Sequence, residues 1–321
     1  MATLLDKRLL IFSGKGGAGK STVAAAAAVT AARRGKRVLL VEIGDEERLP
    51  SIFGNAKRAG YVGGQVSMPR PGGIPPIWSM CLTAPEALRE FAVRSMRFEI
   101  VYKAIFENPV MRFFAAAAPG LDELTIMGKI EFLHRDAVAP APHSRFDLMI
   151  FDAPSTGHGL AFFKVPLMAM GMARTGPLFA KAERMWQLVS DPVRTAFNIV
   201  TLPEEMSVNE SIELYAAAQA LGLPWGTVIV NGVYPDFFPH DAGALQLAQA
   251  RAEPAADLTG RIARAALDAA VSSSVRRQAD QDMIARLASR LAVDRIELPL
   301  LFTPRIGPED LESLADRLDA L

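Results

Sequence analysis

The run Gly14-Lys15-Gly16-Gly17-Ala18-Gly19-Lys20-Ser21 constrains this chain more than any other feature. It fits G-x-x-x-x-G-K-[ST], a loop whose backbone N–H groups close around phosphate oxygens. Such a loop works between a buried strand and the start of a helix. Both flanks are present: Leu9, Leu10, Ile11 and Phe12 form a short apolar run, and residues 21–34 are alanine-rich and helix-compatible. Glycines keep side chains away from the phosphates, and the helix N-terminus adds positive partial charge. The pattern assigns the nucleotide cradle to Gly14, Lys15, Gly16, Gly17, Ala18, Gly19, Lys20, Ser21 and Thr22. Lys20 is expected to reach the β- and γ-phosphates of ATP, and the Ser21 hydroxyl to bind Mg²⁺.

Strand and helix patterns alternate along the rest of the chain. Further strands are predicted at residues 37–43, 77–82, 146–151, 197–202, 227–230 and 295–298. The order implies an α/β fold, a P-loop NTPase with a central, mainly parallel sheet flanked by helices. Residues 84–114 carry a helical pattern. Residues 164–190 are helical and rich in methionine, with Met168, Met170, Met172 and Met185 beside Trp186. We read residues 1–321 as one domain with an inserted helical subdomain, its segments at about 84–135 and 164–190. Residues 255–291 read as two or more helices, and 308–321 as a closing helix with Pro308 in its first turn. The Pro/Gly-rich residues 68–76 read as a loop.

A second nucleotide element follows the strand at 146–151. The chain there reads Asp152-Ala153-Pro154-Ser155-Thr156-Gly157-His158. An aspartate ending a buried strand suits Mg²⁺ coordination through water, opposite the loop. Pro154, Thr156, Gly157 and His158 then form a switch segment able to follow the γ-phosphate. A plain strand-ending turn has the same composition. Asn231 ends another strand pattern, where a side-chain amide can read a base edge or close a turn.

Composition bounds the function. Lys plus Arg is 35 and Asp plus Glu is 35, which argues against broad attraction to nucleic acid or acidic membranes. Cys81 is the only cysteine, so no internal disulfide and no Cys-x-x-Cys metal site is available. The four histidines have no metal-ligand spacing. No run of about 18 apolar residues exists, so no transmembrane span is expected. A cytoplasmic setting is the natural expectation, with peripheral membrane association left open.

These residues resemble the ArsA family of P-loop ATPases, which includes arsenite-transport ATPases and the ATPase that guides tail-anchored membrane proteins. Residues 14–22 match the family's deviant loop, with Lys15 in the place of its signature lysine. Residues 152–158 are similar to its switch II, 118–123 to its Ala-Pro-Gly segment, and 203–210 to the stretch after the next strand. The resemblance implies two facing subunits, identical or paralogous, each sending Lys15 toward the other's phosphates. It puts Asn231 and Pro299 near adenine, and it implies a protein or hydrophobic-helix client. The family's switch I carries an Asp that positions the attacking water. Here Gly44 falls on that place, leaving Asp45 one residue later, or Glu42 or Glu46, as the substitute carboxylate. The zinc and arsenite cysteines of relatives are absent, which disfavours those functions.

The leading expectation is therefore an ATP-hydrolysing dimeric switch. A nucleotide-dependent scaffold with little hydrolysis is the alternative that Gly44 motivates. A membrane-associated ATPase of the MinD or ParA kind shares the deviant loop, but the tail here is short and carries both charge signs.

Overall fold

In a computed structural model, the described residues are 5–55, 58–66, 76–96, 120–138, 140, 143–172, 174–237, 248–249 and 258–319. For residues 92–96, 156–159 and 258 the description covers the backbone only.

Among the described residues eight strands make one sheet: β1 (Leu9–Ser13), β2 (Val38–Ile43), β3 (Gly64–Gln65), β4 (Ile77–Leu82), β5 (Leu148–Asp152), β6 (Thr195–Thr201), β7 (Trp225–Val233) and β8 (Arg295–Pro299). Their order is β3-β4-β2-β5-β1-β6-β7-β8. Every pairing is parallel except β3 against β4. The two-residue β3 has no pattern for sequence reasoning to find, because two residues carry no periodicity.

The described helices are α1 (Lys20–Arg33), α2 (Leu49–Ile52), α3 (Ala84–Met96), α4 (Leu121–Ala137), α5 (Thr156–Met172), α6 (Pro177–Ser190), α7 (Glu205–Ala220), α8 (Leu258–Arg290) and α9 (Pro308–Asp319). They cover both faces of the sheet. Because strand side chains alternate, Leu9 and Ile11 join the core under α4 to α8, while Leu10 and Phe12 join the core under α1 and α9. α1 is the thin element of that second layer. Its Ala24 to Ala28 are fully buried, so the sheet and α9 approach it closely. Arg33 pairs with Glu312 and Asp316, and Arg34 with Asp319, along the rim of this contact.

Three expectations about helices are corrected. Residues 255–291 do not split into several helices: α8 runs unbroken for 33 residues, about 50 Å. No proline interrupts it, and Ser272, Ser273 and Ser274 cost too little propensity to break it. The methionine-rich stretch is two helices, and the first starts at Thr156 rather than at Lys164. Of the turn-forming residues 152–158, only Thr156, Gly157 and His158 therefore fall in the first turn of α5, directly after Pro154 and Ser155. Residues 68–75 and 97–114 of the expected loop and helix lie outside the described residues.

Candidate functional site: a phosphate cradle at the sheet edge

β1 is fully buried and delivers the chain to the C-terminal edge of the sheet at Ser13. The loop from Gly14 then leads into α1, whose N-cap is Gly19. Two glycines are forced by their surroundings. Gly14 has φ 145°, and a Cβ there would lie 2.0 Å from the Val200 carbonyl oxygen. Gly19 has φ 86°, and its Cβ would lie 2.2 Å from Asn231 Nδ2. Gly17 differs: among the described residues nothing lies within 4 Å of its missing Cβ, and it lines an open space.

That space is a cavity of about 640 Å³. Gly16, Gly17, Lys20 and Ser21 line it on one side, Asp152 and Pro154 on another, and the segment from Glu42 to Arg48 on the third. β1, β2 and β5 are adjacent strands, which is why three distant sequence segments meet here. Parallel strands put all their C-terminal ends on one edge, where ligands of open α/β sheets bind.

Ser21 donates its hydroxyl proton to Asp152 Oδ2 at 2.5 Å. Asp152 Oδ1 is shut off from solvent and has no hydrogen-bond partner among the described residues. Burial pushes the Asp152 carboxyl above its usual range, opposed by the Ser21 bond and by the charges of Lys20 and Arg48. An orphaned carboxylate oxygen beside a serine hydroxyl is a donor set that fits Mg²⁺, which takes one or two protein oxygens and keeps several waters. Among the described residues no group of three His, Cys, Asp or Glu side chains could hold a metal ion, so nothing there suits zinc.

Lys20 donates to the Lys15 carbonyl at 3.2 Å, folded back over its own loop. Burial lowers its pKa, and Asp152 opposes that shift. Lys15 Nζ lies 2.8 Å from Glu210 Oε1 on α7 of the same chain. Asn231 Nδ2 donates to the Ala18 carbonyl at 3.0 Å, so this β7 residue touches the loop. Pro299 ends β8 one strand further out, opposite Val233, and does not line the cavity. Thr156, Gly157 and His158 lie in the first turn of α5, their side chains outside the described residues.

The switch I segment has a specific geometry. Gly44 has φ 137°, a region that favours glycine, so an aspartate in its place would be strained. Its carbonyl accepts the Cys81 thiol at 3.0 Å, and burial pushes that thiol's pKa up to about 12. Asp45 is exposed and lines the cavity. Glu42 is 4 % exposed and its two oxygens accept the backbone N–H groups of Arg48 (3.0 Å) and Leu49 (3.3 Å). Burial pushes Glu42 up to about 7, and the two N–H bonds oppose this. Its role is to seat the turn that enters α2. Arg48 was not singled out from sequence. It lines the cavity and acts on both Asp152 and Lys20 electrostatically. Its only sequence signal is a basic residue six places after Glu42, which is too weak to find alone.

A family model described as anion-transporting ATPase matches residues 7–176 and 172–262. The chain is 30% identical over 231 residues to ATPase BagA of Mycobacterium tuberculosis, covering 71% of this chain and 66% of that one. It is 26% identical over 316 residues to an arsenical pump-driving ATPase of Acidiphilium multivorum, covering 92% of this chain and 52% of that one. ATPase GET3C of Arabidopsis thaliana is 25% identical over 282 residues, covering 73% and 69%. The chain thus spans about two thirds of the length of the mycobacterial relatives and about half of the arsenical pump-driving one. With a glycine-rich loop on the sheet edge, an Asp152–Ser21 pair beside it and a family match that spans most of its length, the chain belongs to the ArsA family of anion-transporting ATPases.

Proposed function

We propose that this protein binds and hydrolyses Mg-ATP as a dimeric switch, and that turnover is coupled to a protein or hydrophobic client. The observation that carries this reading is the Asp152 Oδ1, without a partner among the described residues, beside the Ser21 hydroxyl at the N-terminus of α1. The backbone N–H groups of residues 14–21 would hold the phosphates. Lys20 would leave the Lys15 carbonyl for the β- and γ-phosphates, and Ser21 with Asp152 would hold Mg²⁺, the latter through water. Bound Mg²⁺ neutralises phosphate oxygens as charge develops on them. Asp45, exposed at the cavity, is the carboxylate proposed to orient the attacking water. Lys15 would exchange Glu210 for the phosphates of a facing subunit, identical or paralogous. Asn231 and Pro299 are proposed to flank adenine, and Pro154, Thr156, Gly157 and His158 to form the switch.

The single domain with its helical subdomain remains part of this proposal. Apolar side chains there support a hydrophobic client: Met168 is 58% exposed and Met172 87%, both on α5, whereas Met185 is core. Methionine adapts to varied apolar surfaces. No helix among the described residues is long and apolar enough to cross a membrane.

The test is single-turnover hydrolysis with Mg²⁺, wild type against Lys15→Ala at matched nucleotide occupancy, with sedimentation in the same buffers. Turnover and ATP-dependent dimerisation in wild type, with both lost in the binding-competent variant, support the switch. Gly44, held at φ 137° where an aspartate is strained, favours a second reading as a nucleotide-dependent scaffold. Dimerisation on ATP without turnover selects that reading.

A further inference from the structure

The opposite edge of the sheet holds a second cavity, of about 510 Å³, lined by Arg8, Glu131, His134, Arg135, Arg184 and Arg194 among others. Arg8 directly precedes β1 and Arg194 directly precedes β6, so the cavity sits where these strands begin. The phosphate loop follows the other end of β1, five residues away, or roughly 17 Å at strand rise. No described residue lines both cavities.

The charge there is lopsided in a chain whose net charge is zero. Among the described residues, four arginines from four separated segments converge on a cavity with Glu131 as its one acidic lining residue. Glu131 accepts from Arg135 Nη1 at 2.8 Å and lies 3.6 Å from Arg184 Nε. Arg194 pairs with Asp191 at 2.8 Å, and Arg135 also with Asp136 at 3.0 Å. Arg8 makes no ion pair among the described residues. Even with these neighbours counted, four guanidinium groups face three carboxylates.

His134 supplies a second, independent observation. It is 8 % exposed and lines the cavity, and its Nε2 has no hydrogen-bond partner among the described residues. Burial, then the charges of Arg194 and Arg8, pull its pKa down to about 4, so it is neutral at pH 7. A neutral imidazole carries one N–H, and with that proton on Nε2 the buried nitrogen is, like the cationic forks beside it, a donor short of an acceptor.

We propose that this cavity is an anion site distinct from the nucleotide loop, and that it takes a small molecule bearing a phosphate or diphosphate group. Guanidinium groups match phosphate oxygens two at a time. The arginines arrive from the β1 and β6 edge, from α4 and from α6. A tetrahedral phosphate offers acceptor oxygens in all three directions, whereas a planar carboxylate offers two in one plane. The inference does not rest on nucleotide use at the loop.

The experiment is calorimetric titration of inorganic pyrophosphate into the full chain at 0.15 M salt. Lys20→Ala removes the loop's claim on the probe. In that background we expect a pyrophosphate site to persist, and Arg8→Gln to weaken it about tenfold or more, the effect of losing one charge-assisted contact. Arg8 has no ion pair to lose, and unchanged thermal midpoints check the fold. Arg184→Gln is the second variant, with the same expected loss. Citrate should bind more weakly than pyrophosphate. The proposal is overturned if Lys20→Ala alone abolishes binding, if neither arginine variant weakens it, or if citrate binds as well as pyrophosphate.

Discussion

Glu42→Gln should flatten the pH dependence of stability in the nucleotide-free protein. Glu42 is buried and its pKa is pushed from 4.5 up to about 7. A carboxyl whose folded pKa is raised holds its proton more tightly when folded. Its contribution is therefore fully present below the unfolded pKa and is lost as pH rises through the folded one. The window runs from 4.5 to about 7. Between pH 5 and pH 8 such a shift removes about 2.5 kcal/mol, at 1.36 kcal/mol for each pKa unit. Glutamine resembles the protonated acid: it keeps one acceptor for the N–H groups of Arg48 and Leu49 and never ionises. Urea unfolding in EDTA at pH 5, 6, 7 and 8 measures both proteins. Wild type should lose about 2.5 kcal/mol more than the variant across that range. Asp152 is shifted in the same direction and is present in both proteins, so it drops out of the difference apart from its coupling to Glu42. Repeating the pair in an Asp152→Asn background removes that coupling. Parallel pH profiles for wild type and Glu42→Gln would refute the reasoning, because burial would then not be raising this carboxyl.

Three further outcomes follow from the same geometry. Gly14→Ala places a Cβ 2.0 Å from the Val200 carbonyl, and should cost about 1–3 kcal/mol in thermal or urea unfolding and weaken ATP-analogue binding. Glu210→Gln removes a pair whose side chains are 25% and 33% exposed, so stability should change by less than about 1 kcal/mol, while ATP-dependent dimerisation in sedimentation responds if Lys15 must leave Glu210. Arg48→Ala should weaken ATP-analogue affinity without lowering the melting temperature, since the Arg48 side chain is exposed and only its backbone N–H serves Glu42. Unaltered affinity in a fluorescence titration would place Arg48 outside nucleotide binding.

The sequence carried the elements with strong local signatures. Ile77–Leu82 is predicted and found with identical bounds, and the loop, its strand and its helix fall within one residue of expectation. Hydrophobic runs and glycine patterns act over a few residues, so they survive without tertiary information. The family followed from the same short motifs, above all Lys15 and Lys20 flanking Gly16, Gly17 and Gly19. Boundaries were weaker where two local readings compete. The Asp-Ala-Pro-Ser-Thr-Gly-His segment suits a turn, and only packing of Phe162 and Phe163 against Phe151 and Phe197 commits it to the start of α5. The 33-residue α8 has no internal mark of its length.

By itself the sequence determined where the glycine-rich loop lies between its strand and helix, and that the sheet is mainly parallel. Tertiary structure decided what those residues meet. The strand order β2-β5-β1 sets Glu42, Asp152 and Ser21 around one cavity, although they come from segments more than a hundred residues apart at the extremes. It also turned Glu42 from a candidate catalytic carboxylate into a buried acceptor for Arg48 and Leu49, and it held Gly44 in a backbone conformation suited to glycine. The four arginines at the far edge are scattered charges in a neutral chain until the strands align their starting points. Local propensity acts through neighbours in the chain, whereas burial, charge and cavity shape depend on neighbours in space, and only folding supplies those.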